Sequence, residues 1–346
     1  DAAREAWHQT GLRVRGAALA AKAARGLQAG SGIPSQTIAS LLQGLDSGRD
    51  RLYRTDVLVL DEAGMVGTRQ LHRLIEHTAR AGAKLVLVGD PKQLAEIEAG
   101  GLFASLARRL GHAELTENRR LTDRAQRATA AALRDGHTDR ALLRMEQSGS
   151  LTLGDNADRV HARMAEDWYL SHTSGSDAVM LALHRSDVAD LNERAHALLE
   201  ASGEVGPLVA VVDEWRYCVG DRVLGLDNRY DLGILNGDIG RVVGADATSV
   251  AVQLDAGHCV YLPLDYVADH LQHAYARTVH KTQGLTCEIG LLLGDDALYA
   301  ELGYTALTRA THENRVYTVV SNEDFENRDF HLEHVVGALD RSLAKI

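Results

Sequence analysis

The sequence has few cysteines and no long apolar run. Its three cysteines, Cys218, Cys259 and Cys287, are far apart in the chain of 346 residues, which matches no metal-binding pattern and fits a reducing compartment. Apolar runs such as Val57–Leu60 are far too short to cross a bilayer, and Asp1–Thr10 lacks the apolar stretch of a signal peptide. The sequence therefore predicts a cytoplasmic protein without a membrane partner.

The chain also has no excess of positive charge and few aromatic residues. The formal net charge is −11, which argues against a uniformly basic coat for nucleic acid but leaves room for a local basic cleft. Aromatic residues make up 5% of the chain, so contacts that stack on bases should be few. What is present, 45% hydrophobic and 25% charged residues, is typical of a globular protein of about two domains.

Apolar strand patterns alternate with helical patterns along most of the chain. Strands are predicted at Asp56–Leu60 and Lys84–Val88, each followed by polar residues, and a second alternation includes a helix with Ser186 as its N-cap. This order predicts an α/β fold with mainly parallel sheets. The polar residues would then lie at the carboxyl ends of the strands, where ligands bind.

The segment Gly206–Pro263 has a different character. Short strand candidates are separated by turns such as Asn236-Gly237 and Ala256-Gly257, which predicts a small β barrel inserted into the second α/β domain. Acidic residues outnumber arginines in this β insert. We therefore do not expect it to be the main phosphate-binding surface.

The first chemical motif is the pair Asp61-Glu62, which directly follows an apolar strand. This arrangement is typical of a Walker B motif, in which Asp61 would hold Mg²⁺ and Glu62 would polarise the water that attacks the γ-phosphate. A strand followed by a solvated acidic turn explains the pair equally well. The motif therefore needs support from the rest of the chain.

Two further motifs follow along the chain. The run Gly89–Leu94 could place Gln93 as a γ-phosphate sensor, although Gly-Asp-Pro is also a common turn. Residues 101–145 contain nine arginines, no lysine and five acids, and arginine suits phosphate because its donors have a fixed bidentate geometry. An exposed charged helix is the competing interpretation of that arginine-rich stretch.

The last two motifs are Thr278–Gly284 and Tyr304–Ala310. Arg309 is predicted in a short helix with small neighbours, from which it could cross a domain interface as an arginine finger. A lone Thr-Arg-Ala string would carry no information. The order of all five motifs, each at its expected strand end, is the informative feature.

This order resembles superfamily 1 helicases of the RecD-like branch, and most closely the helicase region of conjugative relaxase–helicases of the MobF type. The resemblance covers essentially the whole chain and rests on Asp61–Val66, Gly89–Leu94, Glu114–Arg120, Leu232–Asp238, Val279–Gly284 and Tyr304–Ala310. It implies an α/β fold of two RecA-like P-loop NTPase lobes with an SH3-like β-barrel insert. Lobe 1 would be residues 1–115, lobe 2 residues 116–205 and 265–346, and the insert residues 206–264.

The resemblance also implies roles for individual residues. Asp61 is similar to the Mg²⁺ ligand, Glu62 to the general base and Gln93 to the phosphate sensor. Arg120, in preference to Arg119, matches an arginine that contacts the γ-phosphate. The implied nucleotide site, for ATP and Mg²⁺, comprises Asp61, Glu62, Asp90, Gln93, Arg120, Gly284 and Arg309.

The implied partner is single-stranded DNA, along which the family moves in the 5′-to-3′ direction. The residues that match its DNA-contacting motifs are Lys22, Thr37, His280, Lys281 and Thr282. One departure is Ala39, where the family often has histidine. Other conjugation or recombination proteins are further candidate partners, and we expect a monomer.

A larger departure is the missing phosphate loop, because no G-x-x-x-x-G-K-[ST] string occurs in the chain. Ala2–Gln9 resembles the helix that follows this loop in the family, so we expect the chain to be a fragment that hydrolyses ATP poorly by itself. Two alternatives to a helicase motor stay open, a non-catalytic module that binds single-stranded DNA and a small-molecule NTPase. Retention of Asp61, Glu62 and Arg309 favours the motor.

Overall fold

The computed structural model describes residues 2–90, 102–115, 121–282, 286–295 and 300–320. The chain divides into two compact units, Asp1–Thr116 and Glu117–Ile346. Each unit contains a parallel sheet flanked by helices, in agreement with the predicted α/β fold. Among the helices that the structure describes, none combines the length and apolar content that crossing a bilayer requires.

The first unit is built on a four-stranded parallel sheet. Its strands are β1 (Arg13–Ala18), β2 (Ser35–Thr37), β3 (Asp56–Leu60) and β4 (Lys84–Leu87). They are hydrogen-bonded in the order β2-β1-β3-β4. The helices described in this unit are α1 (Ala2–Gln9), α2 (Ala21–Ser31), α3 (Ile38–Asp46), α4 (Thr68–Ala81) and α5 (Leu102–Leu110).

Strand β3 is buried on both faces of this sheet. Leu58 and Leu60 pack with Leu71 of α4 on one side, whereas Val57 and Val59 belong to a separate apolar cluster. Because successive residues of a strand point to opposite faces, an uninterrupted apolar run forms a strand that lies between two layers. The predicted bounds of this strand are confirmed.

A buried carboxylate joins the amino ends of β1 and β3. Asp56 is 1% exposed and accepts hydrogen bonds of 2.8 and 2.7 Å from Nε and Nη2 of Arg13. It also accepts a 2.9 Å bond from the backbone nitrogen of Tyr53. Burial by itself would raise the pKa of the Asp56 carboxyl, but these donors outweigh burial and hold the pKa below its ordinary value.

The second unit contains a five-stranded parallel sheet in the order β14-β6-β15-β16-β5. These strands are β5 (Leu151–Gly154), β6 (Ala178–Ala182), β14 (Ala276–Thr278), β15 (Cys287–Leu293) and β16 (Ala310–Val319). Its helices are α6 (Arg124–Arg134), α7 (Thr138–Gln147), α8 (Ala157–Thr173), α9 (Arg185–Ser202) and α11 (Ala300–Ala306). Trp168 of α8 and Leu191 of α9 are among the buried residues that pack with Met180 and Leu291 of the sheet.

The β insert separates β6 and α9 from β14 along the chain. It contains β7 (Leu208–Val212), β8 (Trp215–Cys218), β9 (Arg222–Gly225), β10 (Ile239–Ala245), β11 (Ser249–Leu254) and β12 (Cys259–Pro263), followed by α10 (Leu264–His270) and β13 (Leu271–His273). Five strands form an antiparallel sheet in the order β12-β11-β10-β9-β13, and β7 pairs with β8. The fifth strand, β13, thus comes from beyond the predicted end of the insert. Its SH3-like character stays a prediction.

One predicted helix cap is wrong. Helix α9 begins at Arg185 with His184 as its N-cap residue, and no side chain makes a capping hydrogen bond there. Ser186 already lies inside the helix, so its hydroxyl is not at the N-cap position. The His184 ring lies 3.3 Å from Asp295 Oδ2, at the end of β15, and so contacts the neighbouring strand end.

Candidate functional site

The carboxyl edge of the first sheet holds five of the predicted site residues. Asp61 and Glu62 follow β3, Asp90 follows β4, Thr37 ends β2, and Lys22 lies in the first turn of α2, just after β1. All four strands are parallel, so these positions share one edge. Open α/β sheets bind their ligands at this edge. The structure thus places the predicted carboxylates and two predicted DNA contacts along the same border.

The turn after β3 is hydrogen-bonded to the strands on both sides. The Asp61 nitrogen donates to Ala17 O at 3.0 Å, and the Ala63 nitrogen donates to Val88 O at 2.8 Å. Within the turn, the Glu62 nitrogen donates to Asp61 Oδ1 at 3.0 Å. These bonds fix the backbone that carries both half-buried acidic side chains, which is the preorganisation that a catalytic carboxylate needs.

Glu62 has a left-handed backbone conformation, with φ 51° and ψ 42°. Its carbonyl accepts a 3.0 Å bond from the Met65 nitrogen and so begins the short helical turn Ala63–Met65. A residue with a Cβ atom rarely adopts this conformation, and such residues cluster at functional sites. The strain therefore supports a functional role for Glu62.

The loop after β4 packs closely against this turn. A Cβ atom added to Gly89 would lie 3.0 Å from the Gly64 nitrogen and 3.1 Å from the Ala63 nitrogen. A Cβ atom added to Gly64 would lie 3.3 Å from the carbonyl oxygen of Asp90. The two glycines thus allow the loops that carry Asp61 and Asp90 to approach each other.

The two predicted DNA contacts of this unit sit at helix starts. Thr37 is the N-cap of α3, and its Oγ1 accepts a 3.2 Å hydrogen bond from the Ser40 nitrogen. A hydroxyl that accepts one bond can still donate its own proton, for example to a phosphate oxygen. Lys22 is exposed in the first turn of α2. Ala39, which stands where the family often has histidine, is exposed in the first turn of α3.

In the second unit, the predicted DNA contacts follow β14 as a short 3-10 helix, Val279–Thr282. Val279 is fully buried, and His280 beside it is exposed. The backbone of Lys281 and Thr282 continues this helix. Because β14 runs parallel to the other strands of its sheet, the 3-10 helix that follows it lies at the carboxyl edge of the second sheet.

Arg309 lies outside the short helix in which it was predicted. Helix α11 ends at Ala306, and Arg309 immediately precedes β16. Its side chain is 2% exposed, with Nε donating to Thr305 O at 2.8 Å and Nη2 donating to Thr308 Oγ1 at 3.3 Å. The last turn of α11 therefore holds the guanidinium, and its part as an arginine finger stays a prediction.

Several predicted residues lie outside the described part of the chain. They are Gln93, Arg119, Arg120 and Gly284, together with the side chains of Lys281 and Thr282. Their roles stay predictions.

Sequence reasoning missed a buried His–Asp–His cluster in the second unit. His196 of α9 and His273 of β13 place their Nε2 atoms 3.1 and 3.4 Å from Oδ2 of Asp221, which is fully buried. The same carboxylate accepts bonds of 2.7 Å from the Tyr275 hydroxyl and 2.6 Å from the Cys218 nitrogen. The three cluster residues are far apart in the sequence, so no local spacing could have found them.

The Asp221 carboxylate is ionised within this cluster. Burial by itself would raise the pKa of Asp221, but the two imidazoles and the Cys218 N–H outweigh burial and hold the pKa well below its usual range. Burial, together with the neighbouring Asp221 charge, raises the pKa of the Tyr275 hydroxyl well above its usual value. Tyr275 therefore stays a neutral donor to a charged acceptor.

Comparison with known protein sequences finds relatives among conjugal transfer proteins and RecD subunits. A family model described as an AAA domain matches residues 1–156. Conjugal transfer protein TraA of Agrobacterium fabrum is 38% identical over 323 residues, covering 91% of this chain and 29% of that protein. The RecBCD enzyme subunit RecD of Mycolicibacterium smegmatis is 34% identical over 290 residues, covering 75% of this chain and 50% of that protein. The chain thus spans no more than half the length of either relative.

Comparison with solved structures concerns the fold. The crystal structure of Bacteroides Pif1 bound to single-stranded DNA aligns with a TM-score of 0.56 at 16% identity, covering 96% of this chain and 90% of that chain. This likeness agrees with the predicted RecA-like lobes.

Proposed function

The chain belongs to the RecD-like branch of the superfamily 1 helicases, and we propose that it is the motor region of an ATP-dependent DNA helicase or translocase. The observation that carries this proposal is the carboxyl edge of the first sheet. There the catalytic-type carboxylates Asp61 and Glu62 share a border with Lys22 and Thr37, which match DNA-contacting motifs. A single edge can therefore connect nucleotide chemistry to a DNA strand.

The residues at this edge fit a magnesium–nucleotide complex. Mg²⁺ prefers carboxylate oxygens, and Asp61 and Asp90 provide half-buried carboxylates after neighbouring strands. When bound, the ion would neutralise charge on the β- and γ-phosphates. Asp61 would hold the ion, and the bond from the Glu62 nitrogen to Asp61 Oδ1 would keep that carboxylate oriented.

We assign the general-base role to Glu62. Its backbone is fixed by the turn after β3, so its carboxylate can orient a water molecule and accept a proton as the water attacks phosphorus. Gln93, Arg120 and Arg309 are the further residues that we propose as phosphate contacts. Hydrolysis in this scheme weakens these contacts and drives relative movement of two RecA-like lobes.

Single-stranded DNA is the proposed track. Lys22, Thr37, His280, Lys281 and Thr282 would contact its backbone, and the polarity expected for this branch is 5′ to 3′. Pif1 of Bacteroides has been solved with single-stranded DNA, which supports the choice of this ligand. The similarity to TraA supports a conjugative setting.

Hydrolysis by the 346 residues alone should be slow. They contain no G-x-x-x-x-G-K-[ST] string, and backbone amides and a lysine from such a loop supply the main cradle of the β- and γ-phosphates. We propose that the full-length protein hydrolyses ATP and that this chain alone retains DNA binding. A DNA-stimulated ATPase rate of this chain equal to that of the full-length protein would contradict this part.

The decisive experiment is Glu62→Gln in the full-length protein. We expect DNA-stimulated ATP hydrolysis to fall by about 10²–10⁴-fold, while binding of single-stranded DNA and of ATP persists. Glu76→Gln is the matched control, because Glu76 is a surface acid on α4 of the same unit and should leave turnover unchanged. Unchanged turnover in Glu62→Gln rejects the assignment. A wild-type protein that binds DNA without hydrolysing ATP would be a binding module.

A further inference from the structure

We propose that His196, Asp221 and His273 form a binding site for one divalent transition-metal ion of the zinc class. One ligand atom of each residue lies within 4.8 Å of the other two, and all three residues are buried. Two imidazoles and one carboxylate are a common ligand set for zinc when the fourth position is left to water. The cluster lies in the second unit, and none of its three residues is among the nucleotide and DNA residues assigned above.

The separations of the two histidine nitrogens from Asp221 Oδ2 agree with a tetrahedral ion. With metal–ligand bonds of about 2.0–2.1 Å, neighbouring ligand atoms are about 3.3–3.5 Å apart. The observed separations from Asp221 Oδ2 are 3.1 Å to His196 Nε2 and 3.4 Å to His273 Nε2.

Unsatisfied nitrogen atoms point independently to a missing ligand. Within the described part of the chain, His196 Nε2 and both ring nitrogens of His273 are buried and make no hydrogen bond of acceptable geometry, although both Nε2 atoms lie near Asp221 Oδ2. The residues themselves are only 5% and 1% exposed. Buried polar atoms are nearly always paired, so three such atoms in two touching rings require an explanation. A metal ion would use two of them.

One ring must turn for the ion to bind. The imidazoles of His196 and His273 are stacked, with centroids 4.7 Å apart and planes inclined by 25°. Lone pairs in nearly parallel planes do not converge on one point, so one of the two rings must rotate before both can bind the same ion. Rotation of the His273 ring would give up the 3.4 Å contact between its Nε2 and Asp221 Oδ2, but no hydrogen bond of acceptable geometry among the described residues.

The three proposed ligands come from two parts of the second unit. His196 belongs to α9, which packs on the parallel sheet, whereas His273 belongs to β13 of the antiparallel sheet. Asp221 immediately precedes β9, the partner strand of β13. An ion bound by all three would therefore join the β insert to the parallel sheet of the second unit.

Metal titration of the chain tests this proposal. After EDTA treatment and dialysis, we expect equilibrium dialysis with elemental analysis to find one Zn²⁺ bound per chain. Bound Co²⁺ should show the visible absorption bands that are typical of a Co²⁺ ion with a low coordination number. A hundredfold excess of Zn²⁺ over its Kd should raise the thermal midpoint by about 5–10 °C. A chain that binds neither ion stoichiometrically overturns the proposal, whatever the variants do.

Two substitutions locate the ion. His273→Gln and His196→Gln should each weaken Zn²⁺ binding at least tenfold and abolish the Co²⁺ bands. The control is His161→Gln, because His161 Nδ1 lies 2.6 Å from Asp190 Oδ2 in the same unit and, among the described residues, belongs to no group of three potential metal ligands. It should bind the ion as the wild type does. Equal binding by His273→Gln and the wild type would place the ion elsewhere and reject this site.

Discussion

Gly89 and Gly64 lie in backbone contact: a methyl group added to Gly89 would come 3.0 Å from the Gly64 nitrogen. The contact joins the loop that carries Asp90 to the turn that carries Asp61 and Glu62. A hydrogen bond of 2.8 Å from the Ala63 nitrogen to Val88 O also joins the turn to the end of β4. Because Gly64 and Gly89 have no side chains, the loop that carries Asp90 can lie close to the turn that carries Asp61 and Glu62.

Replacement of Gly89 by alanine should reduce ATP hydrolysis by the full-length protein. The added methyl group would lie 3.0 and 3.1 Å from two backbone nitrogens, so the turn after β3 must give by a few tenths of an ångström. We therefore expect a smaller loss than the about hundredfold reduction that a misplacement of about 1 Å can cause. Gly30→Ala is the control, because Gly30 lies in α2 with no atom within 4 Å of an added Cβ. Steady-state ATPase assays with single-stranded DNA compare the two. Equal rates would show that the contact has no catalytic consequence.

The left-handed conformation of Glu62 predicts that glycine is more stabilising than alanine at this position, the opposite of their order inside a helix. Glu62→Gly should be more stable than Glu62→Ala by about 1 kcal/mol, because glycine adopts positive φ without steric penalty. At Glu76, in the middle of α4, the order should reverse, since glycine weakens a helix by about 1 kcal/mol relative to alanine. Thermal unfolding of the four variants measures both differences. The same order at both positions would contradict the strain at Glu62.

Loss of the charge on Asp56 should weaken the first unit. Asp56→Asn leaves an amide opposite the Arg13 guanidinium, and we expect a loss of about 2 kcal/mol in the free energy of unfolding. Asp46→Asn is the comparison, because Asp46 pairs with Arg73 and His77 at the surface and should have a much smaller effect. Urea titration at neutral pH provides both values. Equal losses would show that burial of Asp56 adds nothing.

Asp221 should make the second unit sensitive to acid. Its pKa in the folded chain lies well below the unfolded value of about 3.9, so its stabilising contribution is complete above about pH 5 and is lost as the pH falls. Asp221→Asn should therefore be much less stable than the wild type at pH 7, and the gap should narrow towards pH 3. Urea unfolding in EDTA at several pH values measures the gap. A gap that widens in acid would contradict the ionised state of Asp221.

The fold around the first site could be predicted because its signals are local. Strand β3 is an uninterrupted apolar run followed by Asp61 and Glu62, and this pattern specifies both a buried parallel strand and the polar edge beyond it. The left-handed backbone of Glu62 is different. It depends on bonds from neighbouring strands, such as that between the Ala63 nitrogen and Val88 O, which no local pattern contains.

The second unit shows where local signals fail. Ser186 resembles a helix cap, but helix α9 begins one residue earlier, and the side chain of His184 lies against Asp295. Boundaries depend on such tertiary contacts and are therefore less predictable than the elements themselves. The partners of Asp221 come from α9 and β13, which only the folded chain brings together.

The β insert and the parallel sheet are connected by a very short link. Ala274 and Tyr275 alone separate β13 of the insert from β14, and both are buried. Two residues span at most about 7 Å, so the link has almost no slack. We therefore expect a displacement of the insert to reach β14, and His280 two residues beyond that strand, through this link.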